Sequence, residues 1–293
     1  MRVFDFMKYK KIWFGISGII LAIGLVFLVI NGGLNFGIDY TGGTSIQIDF
    51  GKEHDIEKVR EIISKYDENA IITYAGNDNE LALIKTNVGL DVQKQGEIKD
   101  SLKKNLGVEE TNIQIEYIGP SIGSELMKKA IIALVLANLG ILLYVSLRFE
   151  WRLGLSAIVA LVHDVLIMIT VFAVFQIPVG SSFLAALLTI IGYSINDTIV
   201  IFDRIRENMK SHKKMGEDEL VNLSTSQSLT RTINTSATTL ITIMTLYILG
   251  VPAIRDFAFP MIIGIISGVY STIFIASPVW VMLRKRAKIA SNH

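Results

Sequence analysis

The chain has 293 residues, 51% of them hydrophobic and 19% charged, with a mean hydropathy of +0.48 and a net charge of +1. An ordinary soluble domain carries more charge than this, and so even a balance gives no sign of a nucleic-acid partner. There is no cysteine, which excludes thiol catalysis, disulfides and thiolate metal sites, and no G-x-x-x-x-G-K-[ST] segment to bind ATP. Energy for any work has to come from a partner or from an ion gradient.

The apolar residues gather in six blocks, at 12–30, 130–147, 153–175, 183–205, 232–249 and 258–283. Each is close to the roughly 20 residues that cross about 30 Å of hydrocarbon. With their flanks, the second to sixth read as spans over 128–147, 152–175, 183–207, 229–250 and 257–284. The chain so divides into a terminus and first span (1–31), an insert (32–125), a five-helix remainder (126–284) and a basic tail (285–293). Six crossings put both termini on one side. That side collects Arg2, Lys8, Lys10 and Lys11, then Arg148 and Arg152. It also holds Arg204, Arg206, Lys210, Lys213, Lys214, Arg231, Arg284, Lys285, Arg286 and Lys288. The opposite short loops, 176–182 and 250–257, hold only Arg255. The excess of Lys and Arg predicts cytoplasmic termini and an extracytoplasmic insert. The first span is too long for a signal-peptide core and lacks a small-residue cleavage site, so it reads as retained.

The insert alternates apolar and polar residues over 44–50, a strand pattern. Ile56, Val59, Ile62 and Ile63 then recur at helical spacing. Short strands at 70–74 and 81–86 flank a turn cluster, Gly76, Asn77, Asp78 and Asn79. A charged helix over 92–106 and an alternating run over 112–118 complete β-α-β-β-α-β, the order of a small α+β ferredoxin-like domain. It brings the first and last strands together, so both linkers can return to the membrane side by side. No His, Asp or Glu cluster has metal-ligand spacing, and His54 stands alone at a helix start, where a solvated histidine is the simpler reading. A passive spacer is the plain alternative to a binding role for this domain, and fold alone does not decide between them.

An ionisable group at the centre of a membrane helix costs about 2.5–3.5 kcal/mol on insertion scales, so each one needs a reason. Asp164, preceded by His163, lies roughly 18 Å into the third span, and Asp197 roughly 15 Å from the terminal-side end of the fourth. Both fall near the midplane, deep enough to share one polar chamber. Tyr193, Asn196, Asp197, Val200, Asp203, Arg204 and Glu207 form one helical face. Arg231, Asn234, Thr238, Thr242 and Thr245 form another on the fifth span, and two polar faces in an apolar medium are expected to face each other or water. An arginine favours the ionised form of a nearby carboxylate and desolvation opposes it, a balance that a proton relay needs. The plain alternative is interhelical glue of about 1 kcal/mol per hydrogen bond. Glue suits the threonines and Asn234, and a local ion pair with Arg206 suits Asp203. Asp197 reads as functional and Asp164 as open between the two roles. Arg231, at the start of the predicted fifth span, lies nearer Asp203 than Asp197.

At these residues the chain resembles the SecD–SecF family of bacterial protein-translocase subunits. The resemblance is carried by IGYSINDTIVIFDRIREN over 191–208, LTRTINTSATTL over 229–240 and FGIDYTGG over 36–43, with RFEWR over 148–152 and ALVHD over 160–164. It extends over the whole chain and points to the SecF side. It implies an architecture of the resistance-nodulation-division type, in which a six-helix SecF-like half pairs with a SecD-like half. It implies a function in the bacterial cell membrane, where proton-motive force promotes the late stages of preprotein export and release. The implied partners are SecD, the SecYEG translocon, YajC or YidC, the translocating preprotein and the lipid bilayer. The implied relay comprises Asp197, Arg231, Asn196 and Asp164, with Tyr193, Thr198, Asp203, Asn234 and Thr238 in support. No cofactor beyond H+, or Na+ as in some relatives, is implied. Gly37, Asp39, Gly42 and Gly43 form a hinge or interface motif whose glycines suit either a sharp turn or a hinge.

Two other functions compete. A half-size ion-driven exporter of small molecules or lipids would share the architecture, but such exporters carry two halves and larger outside domains. An intramembrane aspartyl protease would need two aspartates sharing a proton, and the local Ser194-Ile195-Asn196-Asp197 does not match the Gly-x-Gly-Asp setting of those enzymes.

Overall fold

The computed structural model describes residues 3–51, 56–75, 80–148 and 150–291. Arg2, His54, the turn at 76–79 and Phe149 lie outside the described residues. Helix α1 (Lys10–Ile30) leads through a four-residue turn, α2 (Ile38–Thr41), into the insert. The insert runs β1 (Gly43–Asp49), α3 (Ile56–Ile63), β2 (Ile71–Ala75), β3 (Leu81–Thr86), α4 (Val92–Leu106) and β4 (Ile113–Ile118). Then follow α5 (Pro120–Arg148), α6 (Trp151–Phe175), α7 (Ser181–Ser211), α8 (Glu217–Leu249) and α9 (Pro252–Ser271). A π-helical turn, Thr272–Ala276, joins α9 to α10 (Ser277–Ser291), and the three form the sixth long helix. All six long helices have the length and hydropathy to cross a membrane, so the chain is a multi-pass membrane protein.

The four strands pair antiparallel in the order β2-β3-β1-β4, the ferredoxin-like topology expected. Register places Ile46 between Ile84 and Ile115, so period-two apolar residues stack across three strands. Ile46, Ile48 and Ile84 meet Ile98 and Leu102 from one face of α4, all fully buried. The ends of α4 are set locally: the Asp91 carboxylate accepts from Lys94 N at 2.8 Å, and Gly107 closes the helix at φ 67°.

In the bundle α6, α7 and the sixth helix are central, while α1, α5 and α8 are largely exposed along their lengths. Small residues permit the close packing. A side chain at Gly24 of α1 would meet Thr170 of α6 at 2.2 Å, and one at Gly264 of α9 would meet Ile190 of α7 at 2.5 Å. Three helices start well ahead of the expected spans, and α5 begins at Pro120 where a start at 128 is expected. The fifth helix starts at Glu217, because polar residues 217–230 continue the helix past the apolar block. The sixth starts at Pro252, the first-turn position a proline tolerates, and carries its π-helical turn beside α6 and α7.

Candidate functional site

Asp164 of α6 is 1% exposed and gathers donors from two neighbouring helices. Ser194 Oγ of α7 donates at 2.7 Å, and Ser267 and Ser271 Oγ of α9 at 2.6 and 2.8 Å. His163 Nδ1 lies 3.2 Å away and its Nε2 is 3.0 Å from Ser17 Oγ of α1. The His163–Asp164 pair so ties four helices together, the carboxylate reaching α7 and α9 and the imidazole α1, as buried polar groups in hydrocarbon require.

Asp197 of α7 is 3% exposed and much less enclosed by donors. Its one hydrogen bond among the described residues comes from Ser236 Oγ of α8 at 3.0 Å. Arg231 acts on it electrostatically, without an ion pair between them. The rungs between α7 and α8 explain this. Asn208 meets Ser224 and Gln227, Asp197 meets Ser236, and Tyr193 Oη meets Thr235 O and Thr239 Oγ1. Arg231 therefore lies at mid-helix, between the levels of Asp197 and Asp203, and its side chain is exposed. The two carboxylates do not share a chamber. Each has its own donors, and Ser194 and Asp197 lie three residues, about 4.5 Å of rise, apart on α7.

The predicted facing of two polar stripes is corrected. Arg231, Asn234, Thr238, Thr242 and Thr245 are all exposed, whereas Thr232, Ser236 and Ile243 are the buried face of α8. At 3.6 residues per turn the two faces lie about 140° apart, so the stripe points out of the bundle. Thr238 bonds the backbone carbonyls of Asn234 and Thr235. Asn196 is also exposed, on α7. Thr198 is buried, donates to Ser194 O at 3.1 Å and pairs with Thr272 Oγ1 at 2.8 Å. Asp203 is half-buried and forms ion pairs with Arg206 at 3.1 Å and Arg148 at 3.7 Å.

The glycine motif is a clamp between the insert and the bundle. Gly37 N donates to Val179 O at 2.9 Å, and Val179 N donates to Asn35 O at 2.7 Å. The Asp39 carboxylate accepts from Ser181 N at 2.5 Å and Ser181 Oγ at 2.6 Å, capping α7 from a distant part of the chain. Gly180, at the N-cap, has no side chain to do this. Gly42 (φ 80°) and Gly43 (φ 148°) hold backbone that other residues resist, and a side chain at either would strike Pro120 or Thr86. Burial and the adjacent Asp39 carboxylate push the Tyr40 phenol above its ordinary value. A second tie, Lys85 to Asp256 at 2.7 Å, joins β3 to the start of α9.

The residues that sequence reasoning missed are the serines, Ser194, Ser236, Ser267 and Ser271, together with Ser17 and Tyr270. A serine is common enough to carry little signal. The available hints were Ser267 and Ser271 one helical turn apart, and Ser194 one turn before Asp197.

Comparison with known proteins places this arrangement. The family described as protein export membrane protein SecD/SecF, C-terminal, matches residues 97–286, and the SecD/SecF GG motif matches 27–53. The protein translocase subunit SecF of Haemophilus influenzae is 37% identical over 275 residues, 93% of this chain and 83% of that one. That of Calditerrivibrio nitroreducens is 40% identical over 292 residues, 97% of this chain and 95% of the relative. The crystal structure of SecDF, a translocon-associated membrane protein from Thermus thermophilus, is similar with a TM-score of 0.84 and 34% identity. SecDF in its super-membrane-facing form gives 0.73 and 33%. This chain spans only 39% and 40% of those two SecDF chains, while they cover 97% and 100% of it. With the family match over most of its length and relatives of 37% and 40% identity over nearly all of it, the chain belongs to the SecD/SecF family of protein export membrane proteins, on its SecF side.

Proposed function

We propose that this chain is the SecF-type accessory subunit of the Sec protein translocase, which pairs with SecD to promote late stages of preprotein export and release with an ion gradient. Asp197 carries the proposal: a carboxylate buried at mid-helix, held by one serine and acted on by Arg231 without a fixed pair. Such a group can take up and release an ion with little rearrangement, whereas the fully bonded Asp164 is a tighter site. The coupling ion is H+ or Na+, with Asn196 and Arg231 on the exposed side of the site and no other cofactor. The role is transport, and no enzymatic chemistry is assigned.

The exposed stripe of α8 supports a second half. Arg231 and Asn234 facing lipid would each cost free energy, and a SecD surface covering them removes that cost. SecYEG, with YajC or YidC, and the preprotein complete the proposed assembly. The Lys and Arg distribution orients it in the bacterial cell membrane with both termini cytoplasmic and the βαββαβ domain outside. Replacing Asp197 with Asn tests the reading. The variant should insert and assemble with SecD normally while gradient-dependent export disappears. Export at the wild-type rate would reduce Asp197 to interhelical glue.

A further inference from the structure

The turn between α7 and α8 runs His212-Lys213-Lys214-Met215-Gly216, with Lys210 on the last turn of α7. Its backbone is held from within: His212 N donates to Asn208 O at 2.8 Å, and Met215 N donates to His212 O at 3.1 Å. Met215 packs against the bundle core, while Lys210, His212, Lys213 and Lys214 are exposed. With Glu219 of α8 these residues line a cleft of about 550 Å³.

The charge on this cleft is not balanced within the chain. Elsewhere at this end of the bundle Arg148 and Arg206 pair with Asp203, Arg152 with Glu150 and Arg204 with Glu207. The acidic first turn of α8 would offer partners to the lysines, but α10 occupies it. Arg284 pairs with Glu217 at 3.6 Å, and Lys285 with Asp218 at 2.8 Å. Among the described residues Lys210, Lys213 and Lys214 have no ion pair, and Glu219 is the single carboxylate lining the cleft. An excess of Lys and Arg beside helix ends orients a membrane protein, but orientation requires neither a cleft nor lysines without carboxylates.

The level of the cleft decides what fills it. The apolar run of α7 ends at Ile205, and Lys210 lies about 7.5 Å of helical rise beyond it. The headgroup layer is roughly 5–7 Å deep on each side of the hydrocarbon, and a lysine stem carries its ammonium group back among the phosphates. We infer that this cleft binds the headgroup of an anionic phospholipid, with Lys210, Lys213 and Lys214 on the phosphate. Anionic lipids attract basic side chains beside a membrane helix. A zwitterionic headgroup brings its own cation to the lysines, so the cleft selects phosphatidylglycerol or cardiolipin over phosphatidylcholine. An acidic protein surface carries the same charge, but at phosphate level the bilayer reaches the lysines first.

The site is tested by hydrogen exchange on the chain assembled with SecD in phosphatidylcholine vesicles, with phosphatidylglycerol titrated in. A bound lipid stabilises what it touches, so exchange over 208–220 should slow as phosphatidylglycerol rises. The turn between α5 and α6, whose arginines are paired, should be unchanged. Each lysine replaced by Gln should raise the phosphatidylglycerol content at half-maximal slowing about five-fold. Lys210→Gln, Lys213→Gln and Lys214→Gln together should abolish the slowing, and the three Arg replacements should restore it. Added salt should weaken it. Equal exchange with and without phosphatidylglycerol overturns the inference, and so does slowing that survives the triple Gln replacement. Slowing by inorganic phosphate in phosphatidylcholine alone would also overturn it, by assigning the cleft to a soluble anion. Slowing that needs SecD and no anionic lipid would give the cleft to a protein surface instead.

Discussion

Two buried aspartates of one bundle are held very differently. Asp164 accepts from three serines and contacts His163, while Asp197 has Ser236 alone. Replacing Ser236 with Ala leaves a buried carboxylate without a hydrogen bond among the described residues, a loss of about 1–3 kcal/mol. Thermal unfolding of the detergent-solubilised chain should show the loss, and gradient-dependent export should fall with it. Replacing Asp164 with Leu instead strands four polar side chains at once. That variant should be degraded or misassembled, seen as lost protease resistance in membranes, whereas Asp197→Asn should stay intact.

Among the elements, α7 matters most because it holds Ser194, Asp197, Thr198 and Asp203, and its first turn is capped by Asp39 from the foot of the insert. Asp39→Ala removes that cap at a cost of about 0.5–2 kcal/mol. Hydrogen exchange should accelerate in the first turn of α7 and leave α4, capped by its own Asp91, unchanged. The α1–α6 contact has a different basis. Gly24 lies directly on Thr170, so Gly24→Leu forces the two helices apart. Because Ser17 lies on α1, its contact with His163 should loosen in that variant.

At the scale of the whole molecule, the insert is tied to the bundle by the clamp at 35–40 and by Lys85–Asp256. The latter pair is partly exposed, so Lys85→Ala should change stability by less than about 1 kcal/mol. The outer face of α8 belongs to the assembly. Since the chain has no cysteine, a single Asn234→Cys can be labelled by a membrane-permeant thiol reagent in the lone chain. Labelling should fall when SecD is co-assembled, and unchanged labelling would place SecD elsewhere.

The six spans and the βαββαβ order were legible in the sequence because hydropathy and apolar period are properties of consecutive residues. Asp197 stood out for the same reason, as a charge within an apolar run. Its partner did not: Arg231, Asn234 and Thr238 share a helical face, but periodicity says which residues share a face and not where that face points. Tertiary packing turned it outward and put Ser236 on Asp197. It also gathered Ser17, Ser194, Ser267 and Ser271, on three helices, around His163 and Asp164. Sequence alone determined that carboxylates must be buried in this bundle. Only the fold decided which donors each one has, because those donors lie tens to hundreds of residues away along the chain.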